Sequence, residues 1–184
     1  EYNKNNFGII PYVVGSSFAV LVAEELFASG CKILILLTSS GKLSEKQSGK
    51  EYIIIEKAIR DEGASYHYLS PDIYSVINNK VLQILKENNE LISKIDFDKS
   101  WTTDAPFRET EKSINEAIKL GANVVEMESA GLYAFSEAKN KPVICIAYIT
   151  NEMGKKEGDF DKGHNNGCNE ALEIISLTQL RHGL

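Results

Sequence analysis

Apolar residues recur along this 184-residue chain in two alternating rhythms. Between Ser16 and Ser29 they fall at Phe18, Leu21, Val22, Leu26 and Phe27. Spacings of three and four place one apolar stripe on a helix, and Gly30 follows as a stop. Lys32–Leu37 (KILILL) is then almost wholly apolar, the pattern of a strand buried on both faces, ended by Thr38, Ser39, Ser40 and Gly41. Tyr52–Ile55 is a second β-rich run. Ile73–Leu91 reads as helical, with Val76, Ile77, Val81, Ile84 and Leu85 on one stripe. Glu109–Leu120, closed by Gly121, predicts another helix. Val124–Met127 predicts a short strand running into a helix over Ser129–Asn140, Pro142–Ile149 (PVICIAYI) a further buried strand, and Asn169–Leu180 the last helix. Buried strands separated by helices of about a dozen residues predict one layered α/β domain over residues 1–184, with helices on both sides of the sheet. In such sheets ligands gather at the carboxyl ends of the strands.

Composition narrows the function more than the fold. With 43% hydrophobic and 25% charged residues the chain falls in the globular range. A net charge of −6 and a pI of about 5.2 argue against a broad phosphate-tracking surface for nucleic acid and leave room for a pocket holding a small anion. No apolar run approaches the ~18–20 residues of a membrane-spanning helix, so no membrane partner is expected. The chain begins at Glu1 without a basic-then-apolar leader, which gives no sign of secretion and suggests that an N-terminal piece is missing. Three widely spaced cysteines, Cys31, Cys145 and Cys168, fit a reducing, cytoplasmic setting. With no CxxC pair, His-rich tract or HExxH helix, no metal is expected.

Three polar sets flank the predicted strands. Thr38–Gly41 (TSSG) is either an anion-binding turn, whose small residues let backbone N–H groups approach the ligand, or an ordinary polar turn. Trp101–Thr110 (WTTDAPFRET) offers Phe107 to stack on a planar ring and Arg108 and Glu109 to read its polar edge; the alternative is a helix start capped by Asp104. Val124–Ala134 (VVEMESAGLYA) puts Glu126 and Glu128 on either side of Met127 at a strand-to-helix junction. Carboxylates near an apolar strand need donors, and ribose hydroxyls are suitable; the alternative is a solvated helix start with Met127 as core filler.

Taken in order, Gly15–Leu43, Ile59–Leu69 (IRDEGASYHYL), WTTDAPFRET, VVEMESAGLYA and Ala147–Gly154 (AYITNEMG) resemble the nucleoside phosphorylase family of purine nucleoside and uridine phosphorylases and related nucleosidases. EMESAGLY is the most specific of these segments. The resemblance implies a mixed central β-sheet flanked by helices on both faces, and cleavage of a nucleoside N-glycosidic bond through a cationic sugar. It implies that Glu128 clamps the ribose hydroxyls and favours the cation, that Met127 packs under the sugar with Glu126 beside it, and that Asn151 stabilises the departing base. Phe107, Arg108, Glu109 and Asn151 are then the base-binding residues, and Thr38 and Ser39 the phosphate-binding ones. No cofactor is implied, phosphate being a co-substrate. The partners implied are nucleoside, phosphate and further copies of the chain, a hexamer of dimers.

Two departures stand out. Hexameric members carry an arginine where this chain has Leu36, and the family's glycine-rich phosphate loop is not visible before Glu1. The chain is therefore expected to lack its N-terminal phosphate-loop segment, and to be a phosphorylase acting on uridine or a purine nucleoside. A hydrolase of the same fold, and a nucleoside-binding protein without turnover, are the rivals. His67 is expected to be structural, Arg60, Asp61 and Glu62 a surface ion-pair set, and His164 and His182 solvent-facing.

Overall fold

The computed structural model describes residues 7–44, 50–152 and 168–178. Helix α1 (Ser16–Ala28) is followed by strands β1 (Leu34–Lys42), β2 (Tyr52–Asp61) and β3 (Tyr74–Val76). Helices α2 (Asn79–Glu87) and α3 (Asn89–Lys94), strand β4 (Asp96–Thr103), helix α4 (Glu111–Lys119) and strand β5 (Val124–Glu126) come next. Helix α5 (Ser129–Lys139), strand β6 (Val143–Glu152) and helix α6 (Cys168–Leu177) complete the order. Short 3₁₀ turns lie at Ala64–His67 and Pro106–Arg108.

The sheet is mixed, in the order β3-β2-β4-β5-β1-β6, and β2 also pairs with β6, so five strands close into a ring with β3 on its flank. β1 runs parallel to β6 and antiparallel to β5, while β4 is parallel to both β2 and β5. Closure leaves no free edge among the five ring strands, and the sheet buries Ile54, Ile144 and Ile146 on one face and Ile53 and Ile55 on the other, each with no exposed surface. Each such side chain contributes ~1.5–3 kcal/mol of burial free energy. Helix α5 is buried along Ser129–Ser136 and packs on α1, β2 and β3, which explains its weak polar face: it has hardly any contact with water. Among the described residues no helix is long and apolar enough to cross a membrane.

Several expectations need correction. The stretch predicted as one helix from Ile73 to Leu91 contains β3, which pairs antiparallel with β2, and two helices. Asn78 caps the first through the Lys80 and Val81 amides, and Asn88 ends it and caps the second through the Leu91 amide. β1 does not stop at Leu37: Thr38–Lys42 continue the ladder with β6, with a bulge between Ser40 and Gly41. β2 runs six residues beyond Ile55, to Asp61, and β4 was not anticipated at all. Arg60 and Glu62 are buried rather than a surface ion-pair set. The Arg60 guanidinium donates to Ser65 Oγ, Leu69 O and Ser70 O and lies over the Tyr66 ring, while Glu62 accepts from the Ala64 and Ser65 amides. His67 is exposed on that turn, and His164 and His182 lie outside the described residues.

Candidate active site

The site begins where β5 ends. Two carboxylates two residues apart meet the start of α5, and both are buried: Glu126 is 3% exposed and Glu128 is 2%. They have different surroundings. Glu126 Oε1 accepts from the hydroxyls of Ser100 (2.9 Å) and Thr102 on β4. Its Oε2 accepts from the backbone amides of Glu128 (2.8 Å) and Ser129 (2.7 Å) and from Ser129 Oγ (2.8 Å). Five donors therefore meet this carboxylate, two of them the backbone amides of the residue before α5 and of its first residue, where a negative charge is favoured by the helix dipole.

Glu128 turns away from α5 and does not cap it. Its Oε1 accepts from the Gly15 amide at 2.7 Å, and its Oε2 from Thr38 Oγ1 at 2.9 Å and the Met127 amide at 3.3 Å. Gly15 stands at the start of α1 with φ of 88°, a left-handed conformation that favours glycine, and this aims its N–H across at Glu128. Thr38 lies mid-strand in β1, so β1 reaches the site from within its ladder while β5 reaches it at its end. Three elements, α1, β1 and the β5–α5 junction, thus converge on one carboxylate. Burial, then the charge of Glu126, raise the Glu128 pKa above its ordinary value; the bonds from Gly15, Thr38 and Met127 act in the opposite direction. A carboxylate offers about four acceptor sites, so one or more remains for a ligand hydroxyl.

The other expected residues are distributed around this centre. Met127 is half-buried beside Glu128. Thr38 reaches Glu128, whereas its neighbour Ser39 is exposed on the opposite face of the strand. Because Thr38–Gly41 is paired strand, the open phosphate turn expected there is not formed. Asn151 stands in register with Gly41, itself opposite Val125 of β5, which puts its backbone two strands from the β5 end. Phe107 is fully exposed and Arg108 is exposed on the 3₁₀ turn after β4. Glu109 follows, half-buried, its pKa raised by burial. Asp104 does not cap α4: it accepts from the Gly63 amide at 2.9 Å, and Thr110 caps α4 in a reciprocal capping box with Ser113. Since β4 and β5 are parallel neighbours, the turn and Glu128 emerge from the same end of the sheet. Sequence reasoning missed Gly15, Ser100, Thr102 and Ser129. A glycine before Ser-Ser at a helix start was the available sign for the first.

The sequence signature of the phosphorylase superfamily matches residues 8–178. An uncharacterised protein of Acanthamoeba polyphaga mimivirus is 26% identical over 176 residues, covering 96% of this chain, and the chain spans 66% of that relative's length. DeoD-type purine nucleoside phosphorylases of Buchnera aphidicola subsp. Acyrthosiphon pisum are 19% identical over 176 residues, 94% of this chain and 75% of theirs. The crystal structure of AMP nucleosidase from Bacteroides thetaiotaomicron superimposes with a TM-score of 0.65 at 26% identity, covering 89% of this chain and 69% of that one. With its signature running from before α1 to the end of α6, the chain belongs to the phosphorylase superfamily.

Proposed function

We propose that the chain cleaves the N-glycosidic bond of a uridine or purine nucleoside and transfers the pentosyl group to phosphate. The observation that carries this reading is the Glu128 carboxylate, buried at the meeting of α1, β1 and α5 and held by Gly15, Thr38 and Met127. Sugar hydroxyls are donors and suit its remaining acceptor capacity. As the bond to the base lengthens, the sugar becomes cationic, and a carboxylate already desolvated and fixed stabilises that charge without reorganising. Glu126 is left out of the sugar contact, because five donors already meet it. Met127 packs against the sugar. Phe107, Arg108, Glu109 and Asn151 serve the base, whose developing negative charge accepts a hydrogen bond donated by an amide or guanidinium N–H. Thr38 is the phosphate-side hydroxyl, Ser39 being turned to the opposite face of β1, and no cofactor takes part. A homo-oligomer, a hexamer of dimers, goes with this reading, supported by the full exposure of Phe107 and the 46% exposure of Tyr66.

A second reading, hydrolysis, is favoured by Leu36, which supplies no cation beside Thr38, and by the likeness to an AMP nucleosidase. Phosphate is a dianion and its desolvation needs offsetting charge; water does not. The test is a product assay on inosine, adenosine, uridine and methylthioadenosine, each with and without phosphate. Pentose 1-phosphate formed only with phosphate supports the transferase, and free pentose formed at the same rate without it supports the hydrolase. Tight nucleoside binding with no product would leave a binding protein.

A further inference from the structure

The hydroxyl of Thr102 joins three elements. It stands opposite Glu126 in the β4–β5 register, is fully buried, donates to Glu126 Oε1 and accepts from the Ala130 amide of α5 at 3.0 Å. Glu126 in turn takes the Glu128 amide at 2.8 Å. We propose that Thr102 and Glu126 are positioning residues for the clamp: the direction in which the Glu128 carboxylate points is set from β4, by a hydroxyl that touches no substrate. This rests on the reading of Glu128 given above.

The geometry carries it as follows. Glu128 is the residue just before α5, with φ of −130° and ψ of −37°, outside regular helix. It has no side-chain bond to α5, so its backbone is held there by the Glu126 carboxylate at its N–H and by its own carbonyl, which accepts from Leu132 at 3.2 Å. Glu126 is aimed by Ser100 and Thr102, which approach one oxygen and leave the other for the α5 amides. Only Thr102 also grips α5 directly. Losing its hydroxyl takes one of the two β4 donors from Glu126 Oε1 and leaves the Ala130 amide without this acceptor, and misplacement of a reacting group by about 1 Å can cost ~10²-fold in rate. Glu126 has a second effect on Glu128. The groups facing Glu128 are the Gly15 amide, Thr38 on β1, the Met127 amide, Glu126 on β5 and Cys145 on β6, whose thiol burial keeps neutral. Glu126 is then the charged neighbour among the described residues, and its removal lowers the Glu128 pKa.

The test has two arms. In the first, Thr102→Val and Thr102→Ser are compared with wild type in base-release kinetics. The proposal expects Thr102→Val to lose roughly 10–100-fold in kcat with a smaller change in KM, and Thr102→Ser to return within about threefold. Turnover of Thr102→Val within twofold of wild type, or equal losses in the valine and serine variants, overturns it. In the second arm, carbon-detected NMR follows the Glu128 carboxyl in Glu126→Gln: a lowered titration midpoint is expected, and an unchanged one overturns the coupling. The second arm needs no activity. Wild-type turnover in Glu128→Gln would instead remove the clamp reading while leaving the NMR result standing.

Discussion

Gly131 offers a test of how α1 is seated against the site. It is the third residue of α5, fully inside the molecule, and it faces the start of α1. A methyl group added there would stand 2.1 Å from Ser16 Oγ, 3.2 Å from Val20 Cγ2 and 3.3 Å from Ser16 Cβ, where ordinary contact begins near 3.4 Å. The first approach is impossible without movement and the other two are tight. Ser16 has no exposed surface, and its hydroxyl has no hydrogen-bond partner among the described residues, so turning it aside drives the oxygen into packed atoms. Two effects oppose each other. Alanine is better than glycine inside a helix by roughly 0.5–1 kcal/mol, but overpacking a tight core costs about 1–3 kcal/mol. Gly131→Ala should lose about 1–2 kcal/mol net, a fall of roughly 2–8 °C in Tm at this chain length. Relief by outward movement of α1 would also lengthen the 2.7 Å bond from Gly15 to Glu128, so base release should slow as well. Ser16→Ala removes the 2.1 Å clash and a buried hydroxyl without a partner among the described residues, leaving only the two tight carbon contacts. In that background the same Gly131→Ala change should be neutral or stabilising by up to about 1 kcal/mol. Thermal melts of the four proteins as a double-mutant cycle, with base-release rates beside them, make the comparison. A Gly131→Ala protein that melts at or above wild type, or loses equally in both backgrounds, refutes the reasoning.

Other consequences are direct. The native Glu128 carboxyl has a pKa above its ordinary value of 4.5, so the folded state binds its proton more tightly than the unfolded chain does. That contribution to stability is present at pH near 4.5 and is lost as pH rises through the elevated value. Glu128→Gln should therefore gain in Tm relative to wild type on going from pH 4.5 to pH 7.5, whereas a pH-independent difference would refute the burial argument. Arg108→Ala and Glu109→Ala should change the preference between purine and uracil nucleosides more than they change Tm; equal losses on every substrate, in step with Tm, would leave them no part in base reading. Thr110→Ala breaks the α4 capping box and should cost about 1 kcal/mol without altering that preference. Sedimentation at micromolar concentration should find a homo-oligomer, and a monomer would contradict the proposed assembly.

The sequence was most legible where apolar residues run together. PVICIAYI reads as a strand because Val143–Ala147 have no exposed surface, and KILILL reads as one from its apolar run although Leu37 is exposed; α1 forms where expected but turns its expected stripe, with Phe18 and Leu21 exposed and Ala19, Val20 and Ala23 buried. β4 (DFDKSWTT) was invisible for the opposite reason. Its first four residues are half-buried and mostly polar, and its last four bury hydroxyls and an indole whose partners lie far along the chain: Trp101 Nε1 donates to Asp61, and Ser100 and Thr102 to Glu126. Thr38–Gly41 looked like a turn because Thr, Ser and Gly are turn residues. Pairing with β6 overrode that preference, as tertiary context commonly does. At the site, EMES pointed to a paired carboxylate, but nothing local told Glu126 from Glu128. Beyond their local amide and hydroxyl donors, the division follows from distant ones, Ser100 and Thr102 for Glu126 and Thr38 and Gly15 for Glu128, 24 to 113 residues away in sequence. The burial of Arg60 was hidden in the same way, since its acceptors are carbonyls and a hydroxyl that no charge pattern marks.

The central claim is that the Glu128 carboxylate carries the bond-breaking step, and single-turnover base release by Glu128→Gln against wild type tests it most directly. The account predicts a fall on the order of 10²–10³ in rate with the fold retained, because one charged acceptor aimed at the cationic sugar is lost. Release of base by Glu128→Gln at close to the wild-type rate would contradict it.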